Sequence, residues 1–426
     1  MRRLKIALAA LAAFVLWTAL VVLGTREGWW RAMPAPPGDA AAFVDAAKSR
    51  YASESKGNFA LTLIVHGKIA DEYFASPGRP VDRDTLFQVA SMSKWVAAWG
   101  VLALVEKGRI DLDAPVSRYL TRWKLPPSTF DNSGVTVRRL LSHTAGLTDD
   151  LGFRGFAPGE TRPSIEAELT HATDAMPGSS GVVRVGIRPG STWRYSGGGY
   201  LLLQLLIEEV SRRPFNDYMR QTVLLPLGMA DSTYVAPDAA HLAEFYDAGG
   251  KPGIRYSFTA LSAASLYTSA ADMTRFLQAQ VTGPHGEPPG RGVLRPRTLE
   301  LMRRPQAIVF GIPIWGLGNI LYTDNGAGGF IIGHDGNNYP AINTTARLDP
   351  ANGDGIVVLE TGNDVLASEI GRDWVFWHTG HVGTDTIVLE ARHTLAILAG
   401  GLVVFVLVTA AILWRARRRR TQVRVA

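Results

Sequence analysis

Thr85-Leu86-Phe87-Gln88-Val89-Ala90-Ser91-Met92-Ser93-Lys94-Trp95-Val96-Ala97-Ala98-Trp99 is the stretch on which the reading of this chain turns. An apolar run leads into Ser91-Met92-Ser93-Lys94, and a helical pattern extends from Trp95 to Glu106. Three residues apart on a helix, Ser91 and Lys94 share one face about one turn apart, within hydroxyl-to-amine contact distance. A serine hydroxyl is a weak nucleophile. A lysine that loses its proton in a desolvated site can activate it, which points to acyl-transfer chemistry. Ser-x-x-Lys arises on the order of once by composition in a chain of this size, and it occurs twice here. The second copy, Ser53 to Lys56, sits in the polar run Ser49 to Asn58 and reads as a solvated linker or turn. Behind Ser91 the residues Trp95, Val96, Ala98, Val101, Leu102, Leu104 and Val105 cover much of the helix, as expected of a buried helix with a site at its N-terminus. The plain alternative for Ser91 is a helix N-cap.

The ends of the chain carry a different signal. Ile6 to Gly24 is an uncharged run of 19 residues behind Arg2, Arg3 and Lys5, and Thr394 to Trp414 is one of 21 ahead of Arg415, Arg417 to Arg420 and Arg424. At about 1.5 Å per residue each is long enough to cross a hydrocarbon core of roughly 30 Å. Both have their positive flanks on the outer side, so the positive-inside rule puts both termini in the cytoplasm and the chain between them outside it, periplasmic in a bacterium. A cleaved signal peptide ending near Gly24 competes for the first run, but that run is longer than the ~7–15 apolar residues of a signal sequence. The expected organisation is an N-terminal anchor over 1–26, a linker over 27–44, a catalytic domain over 45–380, a linker over 381–393, a second span over 394–414 and a basic tail over 415–426.

The formal net charge of +6 belongs to the tails: their nine basic residues leave about −3 for the rest, so nucleic acid loses its main support as a partner and the lipid bilayer gains it. No cysteine is present, which excludes disulfides and thiolate chemistry. The nine histidines form no metal-ligand pattern. His378 and His381 lack a third ligand, no nucleotide-binding motif occurs, and neither a metal nor a cofactor is implied. About 370 residues between the two runs is ample for a packed core.

Between the runs, Asn58 to Phe74 reads as a hairpin about His66-Gly67, Thr136 to His143 as a short helix, and 190–229 as strongly helical. Phe330 to Gly333, Ala341 to Leu348 and Ile356 to Leu359 read as strands. Strands at both ends with helices between them predict an α+β domain: an antiparallel sheet assembled from distant segments, flanked by helices, with a mostly helical insertion and two terminal transmembrane helices. Tyr195, beside Gly197-Gly198-Gly199, is the best second hydroxyl for a proton relay, since glycines there permit close backbone approach.

Taken together the chain resembles the β-lactamase-like serine hydrolases, which include class C β-lactamases, low-molecular-weight penicillin-binding proteins and related esterases and D-aminopeptidases. The resemblance is carried, in order, by Thr85-Leu86-Phe87, Ser91-Met92-Ser93-Lys94, Asp111-Leu112-Asp113-Ala114-Pro115-Val116 and Leu140-Leu141-Ser142-His143-Thr144-Ala145-Gly146-Leu147. It continues through Tyr195-Ser196-Gly197, Pro226-Leu227-Gly228-Met229, Ser269-Ala270-Ala271-Asp272-Met273 and Gly333-His334-Asp335-Gly336. It implies Ser91 as nucleophile, Lys94 as base, Tyr195 as proton relay and His334-Asp335-Gly336 as the third motif on the strand lining the site. The backbone amides of Ser91 and Asn337 would form the oxyanion hole beside Gly336, and His143 would be a structural landmark. His378-Thr379-Gly380 rivals the third motif but follows a helical run, where its glycine fits a C-cap.

Two departures bear on the substrate. Gly197 replaces the family's amide-holding asparagine, and His334 replaces a lysine, so an ester or a differently anchored amide becomes as plausible as a β-lactam or D-amino-acid peptide. The alternative to a turning-over hydrolase is a penicillin-binding or sensor-like membrane protein that is acylated on Ser91 and stays acylated.

Overall fold

The structure is a computed structural model that describes residues 2–150 and 152–422. Of the basic tail expected over 415–426, Arg424 lies outside the described residues. The chain forms two compact units: residues up to Met33 together with those from Val375 onward, and residues Pro34 to Trp374.

The first unit is built on two long helices, α1 (Arg2–Arg26) and α13 (Ala391–Gln422). Segments Leu4–Arg26 and Ala391–Arg415 are each long and apolar enough to cross a membrane. They pack on each other with Phe14 edge-on to Phe405 at 5.8 Å. Beside them, Arg31 pairs with Glu390 at 2.5 Å, and His381 with Glu27 at 2.9 Å.

The second unit is an α+β fold around an eight-stranded antiparallel sheet in the order β2-β1-β10-β9-β8-β7-β6-β5. The strands are β1 (Phe59–Val65), β2 (Lys68–Ala75), β5 (Ala307–Val309), β6 (Ile312–Trp315), β7 (Ile320–Asp324), β8 (Phe330–Asn338), β9 (Ile342–Leu348) and β10 (Gly355–Thr361). The hairpin β1–β2 turns at His66-Gly67, both at positive φ, as the alternation predicts. β1 then pairs with β10, Phe59 opposite Glu360. β5 to β7 are not announced by the sequence: they are three to five residues long, and Pro313 and the Phe310-Gly311 turn interrupt the pattern.

Between β2 and β5 the regular structure is helical, with irregular stretches between the helices, apart from a two-stranded ribbon of β3 (Phe87–Gln88) and β4 (Tyr267–Thr268). Its helices are α3 (Ser93–Glu106), α4 (Val137–Leu141), α5 (Ile165–Thr170), α6 (Gly197–Ser211), α7 (Phe215–Met219), α8 (Leu261–Ala264), α9 (Ala270–Gln278) and α10 (Pro296–Arg303). Ahead of the sheet lies α2 (Ala40–Glu54), and after it come α11 (Leu366–Thr379) and α12 (Thr384–Leu389). The stretches 27–44 and 381–393, which the sequence suggests as linkers, thus carry the first turns of α2 and all of α12.

α3 is buried from Ser93 to Leu104, and a helix apolar on all sides is stable only inside a core. Trp95 meets Phe276 of α9 edge-on at 5.0 Å, and Trp99 meets the same ring at 5.1 Å. The helices that follow start on side-chain caps: Thr136 accepts from Arg139 N, Ser196 from Gly199 N and Ser269 from Asp272 N. β9 is buried along its whole length. Even Arg347 is sealed there, over the Tyr322 ring at 3.8 Å and paired with Asp335 at 3.1 Å.

β8 meets the turn before Ser91 at Gly336. A Cβ at this glycine would lie 2.1 Å from the Val89 carbonyl oxygen and 2.5 Å from Thr344 Oγ1. Backbone cannot yield as a flexible side chain does, so Gly336→Ala is expected to cost about 3 kcal/mol of unfolding free energy, read as a lower urea midpoint with an unchanged m-value.

Candidate active site

Ser91 lies in a single 3₁₀ turn, Ala90–Met92, that runs into α3. The residue before it, Ala90, has φ +46°, a left-handed conformation costly for a side chain with a Cβ and characteristic of functional sites. Ser93 fixes this geometry: its hydroxyl donates to the Ala90 carbonyl at 2.5 Å and accepts from Leu266 N at 2.9 Å. Ser93 is therefore committed to structure, while Ser91 stays partly open to solvent.

Lys94 is only 2% exposed. Its Nζ is 3.2 Å from Ser91 Oγ and donates to the Ala263 carbonyl at 2.7 Å. The ring centroids of Tyr195 and Tyr200 lie 4.9 and 5.7 Å from the same nitrogen. Burial lowers the Lys94 pKa from 10.5 to about 7, against the opposing pull of Asp149. A neutral amine here has one N–H on Ala263 and a lone pair free to take a proton from the Ser91 hydroxyl.

Tyr195 directly precedes the N-cap of α6 and is half-buried. Burial pushes its phenol above the usual range, and a hydrogen bond with the Ser91 hydroxyl opposes part of that shift. His143, itself at φ +57°, is buried and stacks on Tyr195 with centroids 4.4 Å apart. Its Nδ1 accepts from Ser196 N at 3.1 Å, so it braces the backbone just after Tyr195.

His334 lies on β8, as the strand pattern indicates. Its Nδ1 is 2.7 Å from the Asp335 carbonyl oxygen, the ring meets Trp315 at 5.5 Å, and Nε2 is buried without a hydrogen-bond partner among the described residues. Burial, with the Lys94 charge second, lowers its pKa to about 3. Burial thus favours the neutral ring at neutral pH. Strand alternation sends Asp335 and Asn337 to the opposite face, where Asp335 meets Arg347 and Asn337 Nδ2 donates to the Asp364 carbonyl at 2.5 Å. The rival His378-Thr379-Gly380 closes α11, with Gly380 at φ +72° and on no strand.

Ser53, the other Ser-x-x-Lys serine, corrects the expectation of a linker. It occupies the last turn of α2, exposed, with its hydroxyl on the Ser49 carbonyl at 3.0 Å. Among the described residues no group of three or more potential metal ligands converges.

Sequence reasoning missed Ala263, Trp193, Trp315 and Asp149. The two tryptophans pack at 5.7 Å and extend the aromatic wall of Tyr195, His143 and His334. Asp149 is fully buried and accepts from Ser196 Oγ at 2.7 Å and Gly198 N at 2.9 Å. An acid soon after the landmark segment that ends at Leu147 was the one signal that could have found it.

A family model described as Beta-lactamase matches residues 45–375. The chain belongs to the β-lactamase family. Among curated relatives it is 32% identical to penicillin-binding protein 4* of Bacillus subtilis over 36% of this chain and 32% of that protein. It is also 32% identical to the esterase EstB of Burkholderia gladioli, over 42% of this chain and 46% of that one. With the D-alanyl-D-alanine-carboxypeptidase/endopeptidase AmpH of Escherichia coli it shares 24% identity over 46% of this chain and 49% of that one. The matches thus span about a third to a half of the relatives' own lengths. The β-lactamase/D-alanine carboxypeptidase structure from Pseudomonas syringae superposes with a TM-score of 0.62 at 18% identity, over 79% of this chain and 98% of that one. The octameric penicillin-binding protein homologue from Pyrococcus abyssi gives 0.60 at 20% identity, over 80% and 78%. At these identities the two structures share the fold of the family.

Lys94 in the unfolded chain holds its proton up to pH 10.5, and in the fold only to about 7. The cost of burying it is therefore full below pH 7 and vanishes as pH climbs through 10.5. Lys94→Met is expected to raise the melting temperature at pH 7 by several degrees and to lose that advantage above pH 10.5, as scanning calorimetry across pH would show.

Proposed function

We propose that this protein is a membrane-anchored serine hydrolase whose domain over 45–380 works outside the cytoplasm, forming an acyl-enzyme on Ser91. The observation that carries the reading is the contact of 3.2 Å between an open Ser91 hydroxyl and the amine of a buried Lys94. Lys94 takes the hydroxyl proton as Ser91 Oγ attacks the substrate carbonyl carbon. The oxyanion forms toward the backbone amides of Ser91 and Asn337, beside Gly336. Tyr195 relays the proton from Lys94 to the leaving oxygen or nitrogen as that bond breaks. Water then attacks the acyl-serine, giving up its proton along the same path, and frees the acid and Ser91.

A neutral ester is the favoured substrate class. A carboxylate-bearing substrate gains from a cation on the third motif, and burial keeps His334 from supplying one near neutral pH. Gly197 supplies no side chain for a substrate amide, whereas Trp193 and Trp315 provide apolar surface. The esterase relative is consistent with this preference.

The two apolar helices and their basic flanks support two spans with both termini cytoplasmic. Since the chain has no cysteine, a single Ser133→Cys variant reports the location of the domain. It is expected to react with a membrane-impermeant maleimide in intact cells (spheroplasts if an outer membrane is present), and protection until lysis would refute the topology.

The chemistry is tested on the purified full chain in detergent. A fluorophosphonate probe should label it, Ser91→Ala should remove the label, and short-chain nitrophenyl esters should turn over at least about 10-fold faster than a chromogenic cephalosporin or a D-amino-acid amide bearing a carboxylate. A labelled Ser91→Ala variant would sink the mechanism. A stoichiometric burst without turnover would instead support the stably acylated alternative.

A further inference from the structure

Asp149 touches the site through two hydrogen bonds that no motif assigns. Its Oδ1 accepts from Ser196 Oγ at 2.7 Å and its Oδ2 from Gly198 N at 2.9 Å, while Ser196 Oγ accepts in turn from Gly199 N at 2.8 Å. These three residues open α6 immediately after Tyr195. The fit is close: a Cβ on Gly198 would come 2.9 Å from Asp149 Oδ2 and 2.4 Å from Val183 Cγ2. The segment carrying Asp149 is itself pinned, Thr148 N donating to the Arg184 carbonyl at 3.1 Å and Leu147 bridging to Val185. A carboxylate fixed on one side by this ladder therefore fixes the turn that aims the Tyr195 phenol.

Asp149 also lies close enough for its charge to reach Lys94: it holds Ser196, and the ring of the preceding residue, Tyr195, has its centroid 4.9 Å from Lys94 Nζ. The other titratable groups facing Lys94 are His143, His334, Tyr195 and Tyr200. The imidazoles are held neutral by burial and the phenols are held protonated by it. Arg194, whose guanidinium feels Asp149, is paired with Asp150. Asp149 is thus the negative charge that favours the ammonium form of Lys94 against desolvation.

We propose that Asp149 is a positioning residue of this site, which holds the backbone behind Tyr195 through Ser196 and Gly198 and whose buried charge sets the pH at which Lys94 can accept the Ser91 proton. This rests on the roles of Ser91 and Lys94 proposed above. Asparagine is nearly isosteric with aspartate, can accept from Gly198 N and donate to Ser196 Oγ, and lacks the charge. Ser196→Ala keeps the charge and breaks the bridge.

The test is the acylation rate of the full chain in detergent with a nitrophenyl ester, followed from pH 5 to 9 in wild type, Asp149→Asn and Ser196→Ala, with circular dichroism to verify folding. Removing the counter-charge makes the ammonium less stable, so Asp149→Asn should move the acid limb down by about half a pH unit to one unit. Ser196→Ala should leave the limb in place and lower the plateau about 10-fold. A folded Asp149→Asn variant whose limb coincides with wild type overturns the electrostatic role. Should that variant not fold, Asp149→Glu, which keeps the charge, must retain the wild-type limb, and a shifted limb overturns the inference. A Ser196→Ala plateau within twofold of wild type overturns the positioning role. The wild-type curve separates the two levels of the argument: no acylation there removes the Ser91 mechanism and this inference together, whereas normal wild-type acylation with coincident limbs removes this inference alone.

Discussion

An amine taken out of water beside a hydroxyl is the constraint on which the rest of this structure depends. Lowering the Lys94 pKa from 10.5 to about 7 corresponds to a burial cost on the order of 5 kcal/mol at neutral pH. That is comparable with the whole net stability of many domains. The surroundings show what it takes to hold such a group. α3 is apolar on every side, two tryptophans clamp it to Phe276, and the amine donates to the Ala263 carbonyl and faces the Ser91 hydroxyl. Among the described residues no acid hydrogen-bonds the amine directly. Asp149, whose charge acts on the amine, is engaged by Ser196 and Gly198.

The sheet completes the site from the other side. β8 is flanked by β7 and β9, and it reaches the Ser91 turn where Gly336 lets two backbones approach more closely than any side chain would allow. Its alternation divides labour between faces. His334 and Gly336 turn toward the site, and Asp335 turns away to neutralise Arg347. The third motif is thus polar on the sheet's far face and uncharged where a substrate would lie.

How much of this was legible in the sequence varied with the physics behind each part. Ser91 and Lys94 were readable because helical periodicity alone places them together. The hairpin about His66-Gly67 and the apolar parts of β8 to β10 were readable from their β-rich composition and the turns that bound them, although β8 runs on to Asn338, past the Gly333 at which the sequence reading ends it. β5 to β7 were not, since strands of three to five residues broken by Pro313 and Gly311 carry too little periodicity and depend on pairing with their neighbours. The neutral state of His334 could not be derived from residue type, because it follows from burial contributed by distant segments. Asp149 escaped for the same reason: its partners lie 47 and 49 positions away in the chain. The helix at 384–389 escaped because a six-residue helix lies below the length at which intrinsic preference decides.

The pairing of β1 with β10 has a temporal meaning. These strands are adjacent in the sheet, yet Phe59 and Glu360 are separated by nearly the whole length of the domain. Until residues 355–361 are available, β1 and β2 are a two-strand hairpin with an open edge, an arrangement that is marginal alone in water. Closing so long a loop is slow, because its entropy is lost before the contacts repay it. The Ser91 turn packs against β8 and β9, which emerge just before β10, so a chain growing from its N-terminus holds Ser91 in an unfinished setting until synthesis is almost complete. The setting of Ser91 and the closure of the sheet are therefore tied to the same few strands, and a truncated chain lacks both.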